Sequence, residues 1–136
     1  MFNWGGAVIK IASVKDGTSN TLFIGETLPG ENARVNEMID QQGWVDAKSW
    51  VNLGYTSIPI NTFTPDQNYG SDACTVGNPF RNAGNYAVSQ GFKSQHSGGA
   101  NFAMVDGSVR FVSQYINMET YVYLSGRNDG RVIPNE

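Results

Sequence analysis

The chain has 136 residues, which is enough for one domain with a substantial core and too few for two ordinary domains. Nine basic and 12 acidic residues give a formal net charge of −3, so the chain lacks the basic surface that binds phosphates or anionic lipid. Charged residues are only 15% of the chain, whereas Gly and Asn number 16 and 14. We therefore expect a single β-rich domain over residues 1–136, with no nucleic-acid partner and no insertion into a membrane.

The N-terminal part of the chain carries two apolar segments separated by a turn. Val8, Ile9 and Ile11 belong to a β-branched run that predicts a strand, and this strand is a candidate for addition to the sheet edge of a neighbouring copy. A cluster of turn-forming and capping residues follows: Asp16, Gly17, Thr18, Ser19 and Asn20. The next block, 21–26, ends in Gly25 and Glu26 and predicts a short buried strand.

The middle of the chain, at about 43–95, is predicted to be a loop-rich excursion because Pro, Gly and Asn interrupt any long periodicity. Asp66, Asn68 and Asp72 form an oxygen-rich loop of the kind that a hard cation prefers, although their spacing does not match the helix-loop-helix calcium pattern. Calcium is therefore the one cofactor that the sequence suggests. Trp44 and Trp50 are either core residues or a stacking platform for a sugar.

A β-hairpin is predicted near the C-terminus. Asp106 and Gly107 lie between the alternating segments 101–105 and 108–112, and Asp-Gly favours a two-residue type I′ turn. The register of such a turn places four apolar side chains together on the core face of the hairpin. These are Phe102, Met104, Val109 and Phe111.

A short helix is predicted after the hairpin. Asn117 can cap a helix over 118–125, in which Tyr121 and Leu124 form one apolar stripe, and Gly126 supplies a stop. The predicted fold class is therefore α+β, with a β-dominated antiparallel sheet that contains the C-terminal hairpin and a short helix packed on it.

The residues that carry enzyme chemistry are sparse. His96 is the only histidine and Cys74 the only cysteine, so the paired Cys or His ligands of a typical zinc site are missing. The carboxylates are scattered, and Asp16 and Asp106 each precede a glycine, as turn residues do. We expect His96 to be a structural residue that hydrogen-bonds across the loop before the hairpin, with base catalysis, metal ligation or binding of a partner as the alternatives. The sequence predicts no catalytic residues and a protein that is not an enzyme.

Two motifs give the chain a resemblance to a known family. A His is followed after nine residues by Asp-Gly at 96–107, and an Asp-Gly-Thr-Ser-Asn-Thr turn at 16–21 is followed by Gly-Glu at 25–26. In this order and separation the motifs resemble the bacterial family of prepilin-type processing-associated proteins, also called domain of unknown function 1559. The resemblance spans about residues 7–133.

This resemblance implies a pilin-like globular head, although the prepilin cleavage site and the long N-terminal apolar helix of such proteins have no counterpart in the chain. It further implies a non-catalytic subunit of a type IV pilin-like or pseudopilin-like filament, either extracellular or at the cell surface. The expected partners are copies of the chain itself or other pilin-like subunits. The alternative hypothesis is a secreted module that binds a glycan or calcium through the excursion.

Overall fold

The computed structural model describes residues 9–28, 54–64 and 85–131. The elements in chain order are a 3-10 turn at Ile11–Ser13, β1 at Leu22–Gly25, α1 at Tyr86–Ser89, β2 at Gly99–Met104, β3 at Val109–Ser113 and α2 at Met118–Leu124. The strands form one antiparallel sheet in the order β1-β2-β3. The described part of the chain is thus α+β, as the sequence predicts. None of its helices has the length and apolar character needed to cross a membrane.

The β2–β3 hairpin forms where the sequence predicts it, but in a different register. Phe102 is opposite Arg110 and not Phe111, and Ala103 is opposite Val109. Each residue of β3 is therefore one position away from its predicted partner. Because side chains alternate between the two faces of a strand, this shift turns every side chain of β3 to the face opposite the predicted one.

The cause of the shift is the turn. The Gly107 N–H donates to the carbonyl of Met104 (3.0 Å), and the Met104 N–H donates to the carbonyl of Ser108 (2.8 Å). Gly107 has a φ of +87°, whereas the φ of Asp106 is not positive, so the type I′ turn is not formed. The pattern is that of a three-residue loop closed by a left-handed glycine, which adds a residue to the turn.

The core lies on one face of the sheet, here called the inner face, where α2 packs. It consists of Leu22, Ile60, Ala100, Phe102, Met104, Val112, Tyr121 and Leu124. The Phe102 ring makes edge-on contacts with the rings of Phe92 (centroids 4.9 Å apart) and Tyr121 (6.1 Å). Phe102 and Met104 are each 1% exposed, which confirms their prediction as core. The same prediction is wrong for Val109 and Phe111, which are 69% and 52% exposed.

Helix α2 forms as predicted because its signals are local. The Asn117 side chain accepts hydrogen bonds from the backbone N–H groups of Glu119 (2.9 Å) and Thr120 (3.2 Å), which satisfies two donors at the helix start. Tyr121 and Leu124 are both buried against the sheet. Burial also raises the pKa of the Tyr121 phenol, so this hydroxyl stays protonated.

The strand predicted at the N-terminus is wrong over the part that the structure describes. Residues 9–14 contain the 3-10 turn, in which the Val14 N–H donates to the carbonyl of Ile11 (2.9 Å). The next N–H, that of Lys15, donates to the carbonyl of Arg127 (2.6 Å). β-Branched residues favour a strand only where a neighbouring strand pairs with them. Here the C-terminal loop, and not a strand, supplies the partner, and Val14 turns inward and is buried.

Among the described strands, β1 is an edge strand rather than a buried one. Leu22 is opposite Met104 and faces the core, but the register shifts between Leu22 and Ile24, so that Ile24 is opposite Ala103 and 57% exposed. The irregularity places an extra residue, Phe23, in the strand and turns the following side chain outward. The prediction of a buried strand therefore holds for Leu22 and not for Ile24.

Candidate functional site

The face of the sheet opposite the core, here called the outer sheet face, carries a row of apolar side chains across all three strands. Ile24 is opposite Ala103, and Ala103 is in turn opposite Val109. Ile24 and Val109 are 57% and 69% exposed. Opposite residues in adjacent strands lie side by side on one face, so these three side chains form a continuous strip, called below the apolar row.

A second row on the same face mixes polar and aromatic groups. The Glu26 N–H donates to the Asn101 carbonyl (3.3 Å), the Asn101 amide donates to Glu26 Oε2 (3.2 Å), and Phe111 is opposite Asn101 on the other side. The Phe111 ring covers Gly99, where an added Cβ would come within 2.9 Å of the ring and 2.2 Å of the Val112 carbonyl oxygen. Phe111 therefore closes the space that the missing side chain of Gly99 leaves.

Glu26 and His96, which come from the two separate sequence motifs, meet at the rim of the outer sheet face. His96 Nε2 lies 4.0 Å from Glu26 Oε2, and the imidazole is 63% exposed. This is the distance of an ion pair when His96 is protonated, and it is too long for a hydrogen bond. The predicted hydrogen bond of the His96 side chain across the loop is thus wrong; instead its backbone N–H donates to Ser94 Oγ (3.0 Å).

The two carboxylate oxygens of Glu26 have different surroundings. Oε2 accepts from the Asn101 amide, whereas Oε1 is buried and has no hydrogen-bond partner among the described residues. Within the ranges that the structure describes, no group of three or more His, Cys, Asp or Glu residues is arranged to hold a metal ion. What the geometry provides is a carboxylate fixed by Asn101 beside an exposed imidazole. Such a pair can make a directional polar contact with a partner.

The turn motif at 16–21 acts as a clamp on the C-terminal loop. The Asp16 carboxylate accepts backbone hydrogen bonds from Asp129 (2.9 Å) and Gly130 (3.0 Å). Thr21 Oγ1 lies within hydrogen-bond distance of the carbonyls of Gly17 (3.1 Å) and Gly126 (3.3 Å). Asp16 thus caps backbone donors more than 100 residues away in the sequence rather than those of its own turn.

The same turn also holds the tip of the hairpin. The Asp106 N–H donates to the Thr18 carbonyl (3.1 Å), and the Val105 N–H donates to the Thr21 carbonyl (3.0 Å). Gly17 has a φ of +97°, and its carbonyl accepts the Asn20 N–H (3.0 Å), which closes the turn. The half-buried Ser19 lies at the corner of this turn. The two motifs are therefore in direct contact and join three separate stretches of the chain.

Asp106 is the second turn residue of the hairpin loop. Its carboxylate accepts hydrogen bonds from the hydroxyl (2.7 Å) and backbone N–H (2.9 Å) of Ser108, and these bonds lower the pKa of Asp106. Gly107 supplies the left-handed conformation that the turn needs. Both residues have the turn role that the sequence predicts, although the turn is of another type.

Several predicted site residues are not brought together by the described structure. Asp66, Asn68 and Asp72 lie outside the described residues, as does Val8. The calcium loop and the N-terminal strand addition therefore stay predictions, as does the sugar platform, whose two tryptophans at 44 and 50 also lie outside. Ile11 is described and is 63% exposed, in the 3-10 turn.

Asn61 is a structural residue that no motif in the sequence indicates. It has a φ of +61°, and its N–H donates to the Phe92 carbonyl (3.0 Å). Its side chain accepts from the Ser94 N–H (2.8 Å) and donates to Gln114 Oε1 (2.9 Å). Asn tolerates the left-handed conformation better than most residues, and an Asn beside the buried Ile60 in a turn-rich segment is the only signal in the sequence.

Lys93, three residues before His96, is also unexpected because it is fully buried. Its Nζ donates to the carbonyls of Ser89 (2.5 Å) and Gly91 (3.3 Å). The amino group of the side chain thus binds the backbone at the end of α1 and just after it. A buried amino group needs such acceptors, so Lys93 fixes the segment that leads into the His96 loop.

Comparison with known proteins gives one family. The model of the family described as protein of unknown function, DUF1559 (SBP_bac_10), matches residues 1–119. No curated protein and no solved structure matches the chain significantly. The matched residues include the turn motif, the Glu26–His96 pair and the hairpin, which confirms the assignment to domain of unknown function 1559 that the motifs predict. The chain belongs to the DUF1559 family of proteins of unknown function.

Proposed function

We propose that the protein is a structural subunit of a type IV pilin-like or pseudopilin-like assembly outside the cell, with no catalytic role of its own. The observation that supports this proposal is the apolar row of the outer sheet face. Its end residues, Ile24 and Val109, are largely exposed while the other face of the same sheet is packed into the core. Contiguous exposed apolar surface marks a place where a soluble protein meets a partner.

The energetic gain from covering this surface suits an assembly. Burial of an apolar side chain contributes roughly 1.5–3 kcal/mol, and side chains that are already half-buried contribute about half of that. Ile24, Val109 and Phe111 together then offer about 3 kcal/mol per subunit before the costs of association. This apolar contribution alone is weak for an isolated pair, and it becomes significant when other contacts add to it or when each subunit repeats it in a filament.

The roles of the motif residues agree with this proposal. The turn at 16–21 and the Asp106–Gly107 turn hold backbone segments together through hydrogen bonds. The Glu26–His96 pair lies beside the apolar row and adds a polar contact of fixed direction to the same surface. In an assembly, such a polar rim selects the orientation in which a neighbouring subunit docks.

The test is to isolate the native polypeptide from cells and determine its intact mass and its assembly state by electron microscopy. We expect it in filaments or in a surface complex. Cells that express Val109→Lys should lose the assemblies while the variant chain stays folded by circular dichroism. Val122→Lys, which adds the same charge at a 41% exposed position of α2, is the matched control. Native soluble monomers, or normal assembly of Val109→Lys, would contradict the proposal.

A further inference from the structure

The second side of β3 is open in the part of the chain that the structure describes. On its first side, the Met104 N–H donates to the Ser108 carbonyl (2.8 Å) and the Gln114 N–H donates to the Gly98 carbonyl (2.9 Å). In an antiparallel ladder, alternate residues direct both backbone groups toward the same neighbour. The even-numbered residues of β3 therefore face β2, and the odd-numbered ones direct their N–H and C=O groups to the open edge.

Three odd-numbered residues, Val109, Phe111 and Ser113, line this edge. Within the described ranges, neither Val109 nor Phe111 donates its N–H to another residue, and the Ser113 carbonyl accepts from the Ile116 N–H (3.1 Å). Soluble proteins usually protect such an edge with charges, proline or a bulge. Arg110 is the only charged residue in β3, and the strand contains no proline.

We propose that two copies of the chain associate through their β3 edges, antiparallel and about a two-fold axis at Phe111. The two three-stranded sheets then form one continuous sheet. This inference rests on the proposed assembly role and specifies its partner, a second copy of the chain, and the strand that makes the contact.

The register of the contact follows from two conditions. Open backbone groups pair only if odd-numbered residues lie opposite odd-numbered residues, which also keeps both outer sheet faces on the same side. Like charges directly opposite each other are destabilising, so Arg110 must not face Arg110 of the second copy. Centring the pair on Phe111 meets both conditions and places Arg110 opposite Val112 of the second copy. It also overlaps all five residues of each strand.

This register makes specific contacts. The two Phe111 residues exchange N–H···O=C hydrogen bonds, and Val109 does the same with Ser113 of the second copy, whose carbonyl can accept a second hydrogen bond. The two Phe111 rings lie opposite each other on the outer face, where aromatic pairs stabilise a sheet. The apolar rows of the two copies then lie on one common surface.

Disulfide cross-linking tests the register directly. In a Cys74→Ser background, which removes the only native cysteine, chains with Val109→Cys are mixed with chains with Ser113→Cys. In the proposed register the two cysteines are directly opposite, with Cα atoms about 5.5 Å apart, within disulfide reach. In either variant alone, the equivalent cysteines lie roughly 14 Å apart along the strands.

We expect the oxidised mixture to contain at least ten times more cross-linked dimer than either variant alone. Equal cross-linking in all three samples, or none in the mixture, would overturn the proposal. Phe111→Lys places two lysines opposite each other and should give a monomer by light scattering, whereas Val122→Lys should remain dimeric. If circular dichroism shows that Phe111→Lys is unfolded, the cross-linking result alone decides whether the β3 edges make the proposed contact.

The outcome also separates this inference from the assembly proposal. If the native chain occurs in filaments but the mixture does not cross-link, the β3 contact is wrong and the assembly role stands. If the mixture cross-links but cells contain only soluble dimers, the contact stands and the filament proposal is wrong.

Discussion

The two faces of the sheet differ sharply although they belong to the same strands. On the inner face, Phe102 and Met104 are each 1% exposed and pack against aromatic rings and α2. On the outer face, the alternate residues of β3, Val109 and Phe111, are more than half exposed. The comparison indicates that packing on the inner face stabilises the fold, whereas the outer-face side chains of β3 are exposed in the described part of the chain.

The two faces are also joined in different ways to the rest of the chain. The inner face is covered by side chains from α2 and from residues 54–64, including Ile60. The outer face is bordered by the polar pair Glu26 and His96. Substitutions on the two faces should therefore change different properties: the free energy of unfolding on the inner face and the oligomeric state on the outer face.

The largest expected effect is that of Phe102→Ala. This change removes a buried ring that contacts Phe92 and Tyr121 and should lower the free energy of unfolding by about 3–5 kcal/mol. Val109→Ala on the outer face should cost no more than about 0.5 kcal/mol. Urea denaturation followed by circular dichroism measures both. Similar losses for the two variants would contradict the conclusion that the inner face stabilises the fold and the outer face contributes little.

A smaller loss in the free energy of unfolding is expected when either of two glycines in the β2–β3 hairpin is replaced by alanine. In Gly99→Ala the new Cβ would lie 2.2 Å from the Val112 carbonyl oxygen, so β2 and β3 must separate, at a cost of about 2–3 kcal/mol. In Gly107→Ala nothing lies within 4 Å of the added Cβ, but the φ of +87° costs about 1 kcal/mol. Thermal unfolding of both variants measures which of the two loses more stability. A greater loss for Gly107→Ala would show that the strands can adjust at Gly99.

The clamp formed by Asp16 is expected to contribute somewhat less to the free energy of unfolding. Asp16→Ala removes the acceptor of two backbone hydrogen bonds from the C-terminal loop, and because both bonds are exposed to solvent we expect a loss of about 1 kcal/mol. Asp16→Asn keeps one acceptor oxygen and should lose less. Lys10→Ala, at an exposed position nearby, is the control for urea denaturation. If Asp16→Ala lowers the free energy of unfolding no more than Lys10→Ala does, the clamp does not stabilise the fold.

The smallest expected effect is the pH dependence at Asp106. Hydrogen bonds from Ser108 lower the pKa of Asp106 in the folded chain below its value of about 3.9 in the unfolded chain. Their contribution to stability is therefore present above about pH 4 and is lost as the pH falls through the folded pKa. Carbon NMR of the carboxylate measures that pKa, which should rise in Ser108→Ala. An unchanged pKa in this variant would mean that Ser108 is not the cause.

Local signals in the sequence predicted some of these elements correctly. The Asn117 cap, the spacing of Tyr121 and Leu124, and the stop after them all lie within ten residues, and α2 forms as predicted. The Asp-Gly pair also predicts the position of the hairpin correctly, but the register that it predicts is wrong. Asp-Gly is compatible with a two-residue and a three-residue loop, and the bonds from Ser108 to Asp106 accompany the longer one.

The site depends on contacts that no local pattern contains. Asp16 and Asp129 are 113 residues apart, and Glu26 meets His96 only because the sheet places Glu26 beside Asn101. The sequence motifs singled out these residues without predicting which of them would meet. The exposure of Val109 and Phe111 follows from a shift of a single residue, and so the outer sheet face could not be predicted without the register.

Hydrogen exchange on native assemblies and on dispersed chains tests most directly whether the outer sheet face and the β3 edge are where this protein associates. In dispersed chains the Val112 amide should exchange slowly, because it faces β2, and the Phe111 amide should exchange fast. On assembly we predict that the amides of Val109 and Phe111 exchange at least ten times more slowly. Unchanged exchange at these two amides, with new protection confined to other parts of the chain, would contradict the account.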